Sequence, residues 1–212
     1  MAKDSPDLPW GVDHLVYTVP DLAQGMDEVE GILGVRPALG GRHPDFGTHN
    51  ALLSFGPATY LEIIAPDPEL ARPSHGLPFG MDGLKEPRLA AWALRTESIE
   101  ETAASAGADL GAVLSGGREK PDGTVLSWKL TDPNKIPLGG TVPFLISWGE
   151  TPHPAKSVPW AGELVGLRVE HLHPDRVREV IASLGVKVGV SRSDLIRLVA
   201  RIRTVDGEVA LG

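Results

Sequence analysis

A pattern that occurs three times along the chain limits its fold more than any other feature. Each copy starts with a short apolar strand, continues with a polar cap and an amphipathic helix, and leads into further strands. We expect the three helices to end at Gly34, Gly107 and Gly185. The residue after a helix often has a left-handed backbone conformation, which glycine adopts easily because it has no side chain. Repeated units decide architecture, since each one must bury its apolar face against another. The sequence therefore predicts an α+β protein of repeated strand–helix–strand–strand–strand (βαβββ) modules that form curved mixed β-sheets.

The three copies differ in length, and two proline-rich stretches separate them. Residues 66–87 and 149–162 have the composition of linkers. The first two copies carry three strand-like segments after the helix, whereas the third is abridged. We predict two complete modules, at residues 10–68 and 88–150, and an abridged third module at residues 163–212.

Composition excludes several classes of protein. A chain of 212 residues with 42% hydrophobic residues can bury a sizeable core. The absence of cysteine excludes disulfides, thiolate metal sites and a cysteine nucleophile, and fits the reducing cytoplasm, where we expect the protein. The net charge of −8 argues against nucleic acid or an anionic membrane as a partner. No apolar run approaches the roughly 20 residues of a membrane span, and no phosphate-binding loop points to a nucleotide cofactor.

Glu62 is the most unusual residue of the first module. It lies inside the apolar segment 59–65, where a carboxylate is costly to bury unless it is paired or coordinated. The turn Gly56-Pro57 joins this segment to the strand before it, and a hairpin centred there places Leu52 opposite Glu62. One alternative role for Glu62 is a salt bridge with a nearby arginine.

The same hairpin assigns other polar residues to a face of the sheet. Because side chains alternate along a strand, Thr48 and Asn50 share the face of Glu62, and His49 lies on the opposite face. In the first strand, alternation places His14 on the face that we predict to be inward. A one-residue bulge would reverse the hairpin assignment.

Residues 12–68 resemble the vicinal-oxygen-chelate superfamily, which includes glyoxalase I, extradiol dioxygenases and bleomycin-resistance proteins. The resemblance is greatest to its glyoxalase-like domain branch. The segments that carry it are residues 12–17, 20–22, 33–37, 40–44, 47–53 and 60–68.

The resemblance implies a metal site. In metal-dependent members the first and last strands of a module each present one ligand, and His14 and Glu62 match these positions. An imidazole and a carboxylate suit Zn, Fe, Mn or Ni, and such an ion would bind two adjacent substrate oxygens and stabilise an enolate.

The second module departs from this pattern, because Trp92 and Phe144 stand where the ligands would be, and neither can bind a metal. A third ligand must come from elsewhere, or no metal is bound. The candidates are His43, His49, His75, His153, His171, His173 and a residue of a partner chain.

Two functions of different classes follow from the resemblance. The first is a lyase, isomerase or dioxygenase-type enzyme on a small oxygenated substrate, in which His14 and Glu62 hold a metal or act as an acid–base pair. Thr48, Asn50 and His43 would then contact the substrate. The alternative is a non-catalytic protein of the bleomycin-resistance type, which binds a small molecule between tryptophans. We expect a homodimer, because superfamily members often pair modules across a two-fold axis.

Overall fold

A computed structural model gives the fold for residues 11–119 and 125–212, with Glu119 described by its backbone alone. Residue 10, where the first module is predicted to begin, and residues 120–124 of the second lie outside the described residues. The helices and strands, in chain order, are β1 (Val12–Thr18), α1 (Leu22–Leu33), β2 (Ala38–His43), β3 (Thr48–Ser54), β4 (Tyr60–Pro66), β5 (Arg88–Arg95), α2 (Ile99–Ser105), β6 (Val113–Glu119), β7 (Val125–Thr131), β8 (Phe144–Ser147), β9 (Glu163–His171), α3 (Pro174–Ser183), β10 (Gly189–Arg192), β11 (Arg197–Thr204) and β12 (Gly207–Leu211).

Strands β1 to β8 form a closed barrel in the order β1-β4-β3-β2-β6-β7-β8-β5. In each half the first strand lies parallel to the last, β1 beside β4 and β5 beside β8. The halves join where β1 pairs antiparallel with β5 and β2 pairs antiparallel with β6. The prediction of an α+β fold with curved mixed sheets is confirmed. Because side chains alternate along each strand, every second residue faces the barrel interior.

The last four strands form a separate sheet in the order β10-β9-β11-β12. Here the first strand, β9, lies between β10 and β11, so the strands are connected differently from those of the barrel halves. One apolar cluster joins this sheet to α1 and the outer face of the barrel, and it includes Leu15, Trp92 and Leu198. Trp92 is fully buried there, and its indole N–H donates to the Thr141 carbonyl oxygen at 3.0 Å. A second cluster fills the barrel interior.

The helix ends follow the sequence signals at two of three places. Gly34 and Gly185 have φ of 74° and 72°, in the left-handed region where glycine is favoured. The prediction for α2 is wrong, because Gly107 is not among the glycines with a left-handed φ, and Ala106 already continues in extended backbone after the helix ends at Ser105. Within the described residues, no helix combines the length and the apolar character needed to cross a membrane.

Candidate functional site

The barrel interior contains a cavity that is lined by residues from both halves of the barrel. Its wall is mainly apolar and aromatic, which is typical of small-molecule sites. The polar side chains in this wall include His14, His43, Thr48, Asn50, Glu62 and Arg118. Trp128, Trp148 and Phe144 also line the cavity. The tryptophans differ in their surroundings, since Trp128 and Trp148 face the cavity whereas Trp92 lies in the core outside the barrel.

The β3–β4 hairpin has the predicted register. Leu52 pairs with Glu62, and no bulge interrupts the ladder from Thr48 to Ser54. Thr48, Asn50 and Glu62 accordingly line the cavity. His49 lies on the opposite face, where its Nδ1 is 4.0 Å from Oδ2 of Asp67. The suggestion of His49 as a third metal ligand is therefore wrong, because strand alternation points its imidazole away from His14 and Glu62.

His14 and Glu62 meet inside the cavity, although they lie on two strands far apart in the chain. The His14 Nε2 atom lies 3.6 Å from Oε2 of Glu62, and both residues are buried. The other carboxylate oxygen, Oε1, accepts a hydrogen bond from Asn50 Nδ2 at 2.6 Å. The imidazole of His14 stacks on the ring of Tyr60 with centroids 4.6 Å apart. Each partner of the pair is thus held in place by a second contact.

Asp13, which sequence reasoning missed, fixes the orientation of His14. It is the extra residue of a bulge in β1, since Val12 and His14 pair with the consecutive residues Leu94 and Ala93. Its Oδ1 lies 2.8 Å from His14 Nδ1. The signal in the sequence was a second polar residue beside His14 in an otherwise apolar strand.

Asp13 also binds groups from the far end of the second module. Its Oδ2 lies 3.0 Å from His153 Nε2 and accepts a hydrogen bond from Trp148 Nε1 at 3.1 Å. Burial by itself raises the pKa of Asp13, but hydrogen bonds with His14 and His153 outweigh it and hold that pKa well below its usual range. An ionised carboxylate only accepts hydrogen bonds, so His14 carries a proton on Nδ1 and directs Nε2 at Glu62.

Arg118, on β6, is the second residue that sequence reasoning missed. It is 5% exposed and lines the cavity, and its Nη1 donates to Asn50 Oδ1 at 3.1 Å. Burial lowers the pKa of Arg118 and the charge of Glu62 opposes this effect; a guanidinium stays charged because its ordinary pKa is above 12. Asn50 thus bridges a cation on one side and a carboxylate on the other.

His43 and Thr48 form a separate polar contact in the cavity wall. A hydrogen bond of 3.0 Å joins His43 Nδ1 to Thr48 Oγ1, and the His43 ring meets the Trp128 ring edge-on. Burial lowers the pKa of His43 from 6.5 to about 4, so its imidazole is uncharged at neutral pH. His43 is therefore suited to hydrogen bonding with a ligand rather than to carrying charge. Its predicted substrate contact stays a prediction.

The lowered pKa of His43 predicts how stability depends on pH. The unfolded chain takes up a proton at this residue below pH 6.5, while the folded protein resists until about pH 4. We therefore expect the stability of the wild type, relative to His43→Gln, to fall by at most about 1.4 kcal/mol per pH unit as pH drops through this window. Urea denaturation at several pH values measures this difference, and the same change at the exposed His75 is the control. A constant difference across the window would contradict the prediction.

The described residues do not fit a divalent metal ion. His14 and Glu62 supply two donors, and in the described part of the chain no group of three or more histidine or acidic side chains surrounds a common point. Catalytic zinc sites use three protein ligands. His43 bonds Thr48, and His153 bonds Asp13 behind His14, so neither completes the set. Arg118 also places a positive charge next to Asn50 in the same cavity, which disfavours a second cation.

Comparisons with known proteins agree with the fold. The model of the family described as "Glyoxalase-like domain" matches residues 12–185. A hypothetical protein from Staphylococcus aureus has a similar structure, with a TM-score of 0.66, 12% identity, and coverage of 95% of this chain and 98% of that one. This likeness concerns the fold alone. No curated protein matches the sequence.

Two epimerase structures resemble part of the chain more distantly. Methylmalonyl-CoA epimerase from Mycobacterium tuberculosis has 20% identity and a TM-score of 0.42, and covers 69% of this chain and 91% of its own. A single-residue variant of methylmalonyl-CoA epimerase from Streptomyces coelicolor has 16% identity and a TM-score of 0.42, over 68% of this chain and 97% of its own. These TM-scores are too low to carry an argument. The family match covers most of the chain, and the protein belongs to the glyoxalase-like domain family of the vicinal-oxygen-chelate superfamily.

Proposed function

We propose that this protein is an enzyme that transfers a proton within a small oxygenated substrate bound in the barrel cavity, as an isomerase or lyase does. The observation that carries the proposal is the buried pair of His14 and Glu62, held by Asp13 on one side and Asn50 on the other. Ionisable side chains are costly inside an apolar cavity. A pair with fixed orientation in such a place is a common arrangement for acid–base chemistry.

His14 and Glu62 have different roles when one proton is shared between His14 Nε2 and the Glu62 carboxylate. With that proton on His14 Nε2, the Glu62 carboxylate is the base that takes a proton from the carbon beside a substrate carbonyl. The imidazolium N–H then donates to the carbonyl oxygen, where negative charge develops. Asp13 keeps the second ring nitrogen protonated and stabilises the positive charge of His14, as the carboxylate of a catalytic triad does. Return of the proton to another atom completes an isomerisation.

A direct test is hydrogen exchange in D₂O, followed by NMR with a panel of small 2-oxo and 2-hydroxy acids, aldehydes and esters. We expect the wild type to accelerate the loss of the proton beside the carbonyl of at least one compound. Exchange at the uncatalysed rate for the whole panel would remove the support for proton transfer and would favour the second candidate below.

Superfamily members often bind divalent metals, but the proposed steps use none. We expect elemental analysis of the purified protein to find Zn, Fe, Mn and Ni each far below one ion per chain. His14→Ala should leave these amounts unchanged. One equivalent of a metal that the His14→Ala variant loses would contradict the proposal and would restore the metal site first predicted at His14 and Glu62, with a ligand from outside the described residues or from a partner chain.

A second candidate function rests on the aromatic wall. Trp128 and Trp148 lie side by side with ring centroids 5.5 Å apart, and Phe144 lines the cavity near His14. Such a wall suits a protein that sequesters a small, partly aromatic molecule. Binding without turnover, equally strong in the wild type and in Glu62→Gln, would favour this candidate. The predicted homodimer and cytoplasmic location remain proposals, in line with the dimers that superfamily members often form.

A further inference from the structure

We propose that Arg118 and Asn50 form an anion site, and that the ligand of the cavity is a small carboxylate with an apolar body. The inference builds on the proposed function in one respect, namely that a ligand enters this cavity. It adds the chemical class of that ligand and a binding residue from the second half of the barrel.

The burial of Arg118 is the first argument. A guanidinium that is 5% exposed needs compensation for its lost hydration. Among the described side chains, it donates a hydrogen bond to the neutral amide of Asn50, and no ion pair joins it to a carboxylate of that set. Guanidinium has five N–H donors in a planar fork that matches a carboxylate. An incoming carboxylate would supply the opposite charge inside the cavity.

The second argument is that the chain makes room for this guanidinium. A side chain at Gly40 would place its Cβ 2.2 Å from Arg118 Nη1 and 2.1 Å from Asn50 Oδ1, so both of these groups would have to move away. Glycine at this position of β2 thus allows Arg118 to reach across from β6 to Asn50 on β3. The Arg118–Asn50 contact is therefore a built part of the barrel wall and is oriented before any ligand arrives.

The third argument is the position of the anion site relative to the proton-transfer pair. Asn50 accepts from Arg118 with Oδ1 and donates to Glu62 with Nδ2. A ligand carboxylate at Arg118 would accordingly lie one amide group away from Glu62. The rest of the wall is apolar and aromatic, with Trp128 and Phe144 among its members, so the body of the ligand should be apolar.

Benzoate and benzamide form a matched pair of probes, because they share one shape and differ in charge. Benzoate carries no proton on a carbon beside its carboxylate, so its binding is independent of proton transfer. We expect isothermal titration calorimetry to show wild-type protein binding benzoate at least about tenfold more tightly than benzamide, the size of one charged hydrogen bond. Arg118→Gln should reduce this preference to less than about twofold.

Two further variants keep the test informative if Arg118→Gln does not fold. Gly40→Ala leaves the guanidinium in the chain but displaces it, and should also lower the preference for benzoate. Arg118→Lys keeps the positive charge but lacks the planar fork of N–H donors. This variant should retain only part of the preference for benzoate. Arg176→Gln, a change of the same kind on the exposed side of α3, is the control and should bind as the wild type does. Circular dichroism confirms folding in each case.

The results separate this inference from the proposed function. Equal affinity for benzoate and benzamide, or an unchanged preference in folded Arg118→Gln, would overturn the anion site. A preference for benzoate in a protein that exchanges no substrate proton would keep the anion site and remove the proton transfer. Exchange of a neutral substrate without any preference for benzoate would keep the proton transfer and remove the anion site.

Discussion

Replacing Glu62 by glutamine is expected to lower the rate of substrate proton exchange by about 10²- to 10⁴-fold, the usual contribution of a general base. Glutamine has nearly the same shape, and its carbonyl oxygen can still accept the hydrogen bond that Asn50 donates to Oε1. It cannot take up a proton from carbon at neutral pH. The loss should therefore appear in the exchange rate, while the melting temperature and the affinity for benzoate stay close to those of the wild type.

A glutamate of no proposed role provides the control for this experiment. Glu179 on α3 is exposed and pairs with Arg176 on the protein surface. Glu179→Gln removes the same charge from the chain and should exchange substrate protons at the wild-type rate. Wild-type exchange by Glu62→Gln would rule out Glu62 as the base and would leave His14 as the remaining candidate in the pair.

Replacing Asp13 by alanine is expected to lower the free energy of unfolding by about 3–5 kcal/mol, as happens when one partner is removed from a buried charged network. The Asp13 carboxylate is fully buried and contacts His14, His153 and the indole N–H of Trp148. Alanine would leave all three buried groups without their acceptor. Urea denaturation measures the change, and Asp27→Ala, which breaks an exposed pair with Arg36, should cost less than about 1 kcal/mol.

The effect of Asp13→Ala should also depend on pH in a defined direction. Because hydrogen bonds hold the folded pKa of Asp13 below its unfolded value, its stabilising contribution is complete above about pH 4 and is lost as pH falls further. The difference in stability between wild type and variant should thus be constant from neutral pH to about pH 5 and narrow in stronger acid. A difference of less than about 1 kcal/mol at pH 7 would mean that Asp13 is dispensable to the fold.

Local patterns in the sequence were sufficient to predict which residues of the β3–β4 hairpin form one wall of the site. The turn at Gly56-Pro57 and the alternation of side chains correctly predicted the pairing of Leu52 with Glu62, and hence which residues of β3 face the cavity. Both signals lie within a few residues of the strands that they describe. Prediction succeeded because a hairpin register depends on its own turn and on the faces of its own two strands.

The remaining parts of the site depend on contacts that no local pattern contains. Arg118 reaches Asn50 across 68 positions of the chain, because the barrel closes by pairing β2 with β6. Asp13 turns towards His14 through a bulge whose position is visible only against β5, a strand of the other half. His153 arrives from the segment after β8.

The sequence by itself therefore determined the modules' elements, the inward face of the first hairpin and the two residues, His14 and Glu62, that meet there. The tertiary structure decided what surrounds this pair. The Asp13 carboxylate orients the His14 imidazole, and the Arg118 guanidinium contacts the Asn50 amide. The physical reason is that side-chain alternation is a property of each strand alone, whereas the partners of a buried charge are set by which distant strands close the barrel.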